Sequence, residues 1–285
     1  MNTAFNKNNL KTVALLASLG GALVLAGSAF GGRGGATLGL LLGLVMVGGS
    51  YWFSDRIAIR AAGAHPAEPG VLSWLQDDLE SMAKGAGMRT PRLFVSPSMQ
   101  PNAFATGRNE AHALVCVTEG LLQVLDRREV RGVVAHELGH IRNKDIVIGS
   151  IAAAIATGIT YIAQMAMWAG IFGGGDDEDR PNPLALIMLM VLAPLAASLI
   201  QMALSRSREF EADRAGAAIA GDPGALASAL TKIEAYAQRV PMNIQPSQAS
   251  AWIVNPLTGR NIKFANLFMT HPPTAERVAR LAAIR

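Results

Sequence analysis

The 285-residue sequence holds a single cysteine, Cys116, so no disulfide can form within it and nothing in it points to an oxidising compartment. Charge is also scarce. Only 16% of residues are Asp, Glu, Lys or Arg, against roughly 25% in an average soluble protein. With 51% hydrophobic residues, this composition excludes a disordered or collagen-like chain. A wholly soluble single domain is excluded too, because the missing charge is concentrated in four places. Residues 12–30, 34–54, 146–175 and 181–205 contain no acidic or basic side chain, and each run is long enough to cross a hydrocarbon core of ~30 Å as a helix.

The expectation is therefore four transmembrane helices, at about 12–30, 34–54, 146–172 and 183–205. They divide the chain into an N-terminal membrane hairpin (1–60), a first aqueous part (61–145), a second membrane hairpin (146–205) and a second aqueous part (206–285). Lys7 and Lys11 precede the first crossing, Arg56 and Arg60 follow the second, Arg142 and Lys144 precede the third, and Arg206, Arg208 and Arg214 follow the fourth. Only Arg33 and Arg180 lie on the other side, so the positive-inside bias places both termini and the aqueous domain in the cytoplasm. The same bias accounts for the net charge of +4 without nucleic acid as a partner. The first apolar run exceeds the ~7–15 residues of a signal-peptide core and reads as a retained anchor. Gly20, Gly21, Gly39, Gly43 and Gly48 read as helix-packing positions.

In the aqueous part, Leu72, Leu75, Leu79 and Met82 repeat at helical spacing, and Gly85 and Gly87 end that helix. Three short strands are expected at Arg92–Ser96, Asn102–Gly107 and Ala111–Val117, the last placing Cys116 in the core. Thr118 opens a short helix. Asp126 with Glu129 three residues on is a capping-box signature for a longer helix, which continues through Val130, Val133, Val134, His136 and His140. A polar helix starts at Arg206 and runs to about Ala220, Asp222-Pro223 starts another, and Pro272-Pro273 opens the last.

The stretch His136-Glu137-Leu138-Gly139-His140 carries the chemistry. Residues four apart share a helix face, so both imidazoles can bind one Zn²⁺ while Glu137 reaches a water at that metal. A catalytic zinc keeps three protein ligands and one open position. Glu209 is the economical third ligand. Asp213, one turn on and on the same face, would hold a ligand imidazole in the correct tautomer, whereas Glu211 points elsewhere.

The sequence resembles the HtpX-type membrane zinc metalloproteases, relatives of the CAAX prenyl endopeptidases. The likeness runs through Asn102-Ala-Phe-Ala-Thr-Gly107, Val117-Thr-Glu-Gly-Leu121, the His136–His140 motif, Ser207-Arg-Glu-Phe-Glu-Ala-Asp213 and His271-Pro-Pro-Thr-Ala-Glu-Arg277. It implies a mainly α membrane protein whose cytoplasmic α+β domain is zincin-like, with a small β-sheet. It also implies one Zn²⁺ per chain on His136, His140 and Glu209, with Glu137 as general base. Asn102, Ala103, Phe104, Ala105 and Thr106 then form a strand that binds substrate by main-chain pairing, and His271, supported by Arg277, stabilises charge on the reacting carbonyl. The activity implied is quality-control cleavage of misfolded or damaged membrane proteins at a bacterial inner membrane, with protein substrates and the lipid bilayer as partners. His65 and His112 lack such support and read as structural.

Two other readings carry weight. An intramembrane protease would bury Arg127, Arg128, Glu129, Arg131, Arg142, Lys144 and Asp145 beside the motif in lipid, at prohibitive cost. A non-catalytic membrane scaffold with a structural zinc would ordinarily need a closed four-ligand site rich in cysteine, and Cys116 stands alone.

Overall fold

The computed structural model describes residues 52–144, 208–240, 253 and 272–284, with some of residues 34–49. Its chain forms two compact units, Met1–Trp52 with Ile148–Gln201, and Phe53–Val147 with Met202–Arg285. The expected crossings at 12–30, 146–172 and 183–205 lie outside the described residues, as does part of 34–54. Among the described residues no helix is long and apolar enough to cross a membrane.

The second unit is mostly helical around one small sheet. In chain order its elements are α1 (Ser54–Ala61), β1 (His65–Pro66), α2 (Ser73–Gly85), β2 (Arg92–Ser96) and β3 (Ala103–Thr106), then β4 (Leu114–Thr118), α3 (Glu119–Val124) and α4 (Arg127–Asn143). Helix α5 covers residues 208–220, followed by α6 (Pro223–Arg239) and α7 (Thr274–Ala282). The strand order is β1-β2-β4-β3, with β2 parallel to β4 and β1 and β3 antiparallel to their neighbours. Among the described residues, strand β3 is thus an edge.

Two apolar clusters separate the faces of this sheet. Leu93, Val95, Val115 and Val117 join Leu75 and Leu79 of α2, Val133 and Leu138 of α4, and Leu226 and Leu230 of α6 in the main core. Phe94, Leu114 and Cys116 face the other way, with Phe104 and Ile59 of α1 packed against them. Alternate residues of a strand point to opposite faces, so the main-core face at β3 presents only Ala103 and Ala105. These small side chains let the edge strand lie close to α4.

Local chemistry explains most boundaries. Asp126 and Glu129 form a reciprocal capping box at the start of α4, and Asp222 caps α6 by accepting from the Ala225 amide, with Pro223 at the first helical position. The strand expected from Ala111 starts only at Leu114. Asn109 accepts from the His112 N–H and closes a 3₁₀ turn over Glu110–His112, which takes those residues out of the ladder. Helix α1 and the two-residue β1 lie where the sequence reads as the end of a crossing and a linker. Their length falls below what periodicity can register.

Candidate active site

The capping box gives α4 a fixed start, and the same Glu129 fixes its neighbour. The Glu129 carboxylate is 2% exposed and accepts from Ser228 Oγ at 2.6 Å and Lys232 Nζ at 2.8 Å, both on α6. Burial alone would push this carboxyl up. The Lys232 ammonium, the Ser228 hydroxyl and a backbone amide together hold it below the ordinary carboxylate value.

Two turns further along α4, His136 and His140 present perpendicular rings with centroids 4.7 Å apart. Helix α5 lies against this surface at backbone distance. A methyl group at Gly139 would stand 2.8 Å from the Ala212 carbonyl oxygen, and one at Gly216 would stand 2.7 Å from the His136 α-carbon. Such proximity brings Glu209 and Asp213 to the two imidazoles. Glu211 points outward into solvent.

The donor set fits a small cation. His136 Nε2 and His140 Nε2 are 3.2 Å apart, and each stands 3.6 Å from an oxygen of the Glu209 carboxylate, Oε2 for His136 and Oε1 for His140. Zinc bonded to nitrogen and oxygen at ~2.0–2.1 Å with tetrahedral angles would put its ligand atoms about 3.3–3.5 Å apart. The observed triangle has edges of that size, and its donors are two imidazoles and one carboxylate. Among the described residues, these three are the group of His, Cys, Asp and Glu side chains spaced to hold a metal ion.

Behind the triangle stands a buried ion-pair network. Asp213 Oδ1 lies 2.9 Å from His136 Nδ1, which fixes Nε2 as the ring atom facing Glu209 and His140. Arg277, 1% exposed, donates to Asp213 through Nε at 2.9 Å and Nη2 at 2.6 Å, and its Nη1 lies 3.5 Å from Glu209 Oε2. Burial would raise the Asp213 carboxyl, but the adjacent guanidinium and the His136 ring hold it down at about 2. Arg277 thus faces the carboxylates from within the protein. Its Nη2 also lies 3.4 Å from His136 Nε2, so it touches a ligand imidazole as well as the carboxylates beside it. His271 lies outside the described residues.

Glu137, 5% exposed, is on the side of α4 that meets β3. Burial pushes its carboxyl up, and the Glu209 carboxylate adds to this. The His136 and His140 rings and a hydrogen bond donated by the Ala105 amide act the other way. A carboxyl so placed is a weakly solvated proton acceptor. Of the expected substrate strand, Ala103 and Ala105 face α4, whereas the Phe104 side chain packs with Phe94, Leu114 and Cys116 on the opposite face. Thr106 is buried. Asn102 directs its side-chain oxygen to the Ile253 N–H, 3.0 Å away.

His65 lies on β1, where its Nδ1 is 3.2 Å from the Pro66 carbonyl oxygen, and His112 contacts Asn109 in the turn before β4. Neither joins the cluster. Sequence reasoning did not single out Gly139 and Gly216 as determinants of this site. Their signal was present as glycines inside helical segments, but only packing shows what they approach.

The site is thus a buried helix pair offering two imidazoles, a carboxylate and an adjacent proton acceptor beside an edge strand. Residues 71–285 match the family model of Peptidase family M48. "Protease HtpX homolog" of Syntrophotalea carbinolica is 50% identical over 277 residues, covering 96% of this chain and 98% of that one. The protein of the same name from Desulfatibacillum aliphaticivorans is 46% identical over 281 residues, covering 98% and 90% respectively. The crystal structure of S. mikatae Ste24p shares the fold at a TM-score of 0.52 and 19% identity, matching 99% of this chain and 66% of that longer one. The chain belongs to peptidase family M48 and, within it, to the HtpX proteases.

Proposed function

We propose that the protein is a zinc-dependent membrane endopeptidase that cleaves misfolded or damaged membrane proteins on the cytoplasmic face of a bacterial inner membrane. It is held there by the four crossings, with protein substrates and lipid as its partners and no nucleic acid. The observation that carries this reading is the triangle of His136, His140 and Glu209 with Glu137 beside it. His136, His140 and Glu209 would hold one Zn²⁺, which supplies Lewis acidity toward a scissile carbonyl and a water molecule.

The protein's own groups do the rest. Glu137 takes a proton from the attacking water and delivers it to the departing amine, a role for which its desolvated carboxyl is suited. The Ala105 N–H holds that carboxylate in place. Asp213 keeps the proton of His136 on Nδ1, and Arg277 keeps Asp213 ionised. The open edge of β3 aligns an extended peptide by main-chain hydrogen bonds, so specificity for sequence is low and specificity for unfolded segments is high. His271 donates to the carbonyl oxygen as charge grows on it.

The test is hydrolysis of casein or an unfolded membrane protein by the purified, zinc-loaded chain in detergent. Glu137→Gln should lower the rate by about 10²–10⁴-fold while zinc stays bound, and 1,10-phenanthroline should abolish turnover until zinc is restored. Equal rates for Glu137→Gln and wild type would refute the mechanism. Stoichiometric zinc with no turnover on any unfolded protein would favour a scaffold.

A further inference from the structure

Ile253 is 4% exposed, and two side chains from distant parts of the sequence hold its backbone. Its N–H donates to Asn102 Oδ1 at 3.0 Å, and its carbonyl accepts from Arg277 Nη1 at 2.9 Å. Asn102 is itself fixed. Its N–H donates to Thr118 Oγ1 at 2.9 Å, and its carbonyl accepts from the Thr118 N–H at 3.0 Å. It therefore stands rigidly at the entry to β3, the strand whose Ala105 amide holds Glu137. Arg277, on the other side of the Ile253 peptide, clamps Asp213 and through it His136. A continuous buried path thus runs from the edge strand to the His136 imidazole, with one peptide unit as its middle link. Asn102, Ile253, Arg277 and Asp213 are joined by hydrogen bonds inside the protein, so removing one leaves a desolvated group unsatisfied and the next member unanchored.

We propose that the Ile253 peptide is a strut through which Asn102 sets the orientation of Arg277, so that Asn102 is a positioning residue for the metal ligands and not a contact for substrate. This rests on the metal site proposed above. Its consequence is that the strand which aligns the peptide and the side chains which hold the metal are placed relative to each other by one shared link.

Cobalt(II) tests this in the full-length protein in detergent, because chelator competition and the visible absorption of a tetrahedral ion report the ligand set without any turnover. Asn102→Ala, which touches no ligand, should weaken cobalt binding by roughly tenfold. Arg277→Lys, which keeps the charge and loses the fork, should weaken it as well. The double variant should be no weaker than Arg277→Lys alone, since the two act through one path. Asn102→Asp retains an oxygen that can accept from the Ile253 N–H but brings a carboxylate into a site 5% exposed, so it should bind cobalt less tightly than wild type and more tightly than Asn102→Ala.

An Asn102→Ala protein with wild-type cobalt affinity and only a raised KM would overturn the strut and make Asn102 a substrate contact. Losses that multiply in the double variant would overturn it too. If Asn102→Ala does not fold, Asn102→Ser, too short to hold the Ile253 N–H as Asn102 does, decides, and wild-type cobalt affinity there counts against the strut. Wild-type protein that binds no cobalt would sink both this coupling and the metal site. Wild-type protein that binds cobalt but hydrolyses nothing would sink only the peptidase chemistry.

Discussion

Gly216 of α5 lies against the backbone of His136 so closely that a β-carbon on it would come within 2.7 Å of the His136 α-carbon and 2.8 Å of its nitrogen. The contact is backbone to backbone, so no side chain can swing aside to relieve it. Gly216→Ala should force α5 away from α4 and carry Glu209 and Asp213 with it. Overpacking of this kind costs about 1–3 kcal/mol, which a thermal melt would register, and zinc retention after dialysis should fall in the same variant. A Gly216→Ala protein with unchanged melting and full zinc would show that the two helices can separate without cost.

Asp213 and Arg277 form a pair shielded from solvent, with two hydrogen bonds of 2.9 and 2.6 Å. Asp213→Asn keeps the shape but leaves the guanidinium only the Glu209 carboxylate, 3.5 Å from Nη1, and breaking a buried pair from one side costs about 3–5 kcal/mol. Replacing both partners with apolar residues should be much less damaging to stability, although it removes the support of His136. Chemical denaturation of the single and double variants measures the difference. A single variant as stable as wild type would mean that water reaches Arg277.

Acid should loosen the joint between α4 and α6 through Glu129. The folded carboxyl titrates below its ordinary value of 4.5, so its contribution is complete above that value and disappears as the pH falls through the lower, folded one. Wild type should therefore lose its stability margin over Glu129→Gln on acidification below about pH 4.5. Melting curves of both proteins across that range are the check, and parallel curves would mean that the ionised Glu129 adds nothing to the joint.

Cys116 is fully buried in β4, and burial pushes its thiol up to about 12. It should be inert to Ellman's reagent in the folded protein and titrate once on unfolding. This makes it a reporter for opening of the sheet. Rapid reaction under native conditions would mean that β4 opens readily.

Local sequence was enough for the helix starts that rest on one or two side chains, such as the Asp126–Glu129 box and Asp222-Pro223. The capping groups lie within three residues of the amides they satisfy. Sequence was insufficient at His112, where an Asn109 cap outweighed strand propensity, and it did not show that the Phe104 side chain turns away from α4. Strand membership says which residues alternate, but not which face meets which helix.

What the linear chain determined by itself was the chemistry available. His136, Glu137 and His140 lie on one stretch of helix because their spacing equals a helical turn, and Glu209 and Asp213 repeat that spacing. The tertiary structure alone decided that these two stretches meet, that Arg277 lies behind the carboxylates, and that Ile253 joins Arg277 to Asn102. Those relations depend on burial that makes each unpaired group costly and on what Gly139 and Gly216 approach across the helix pair, and neither can be read from the local sequence.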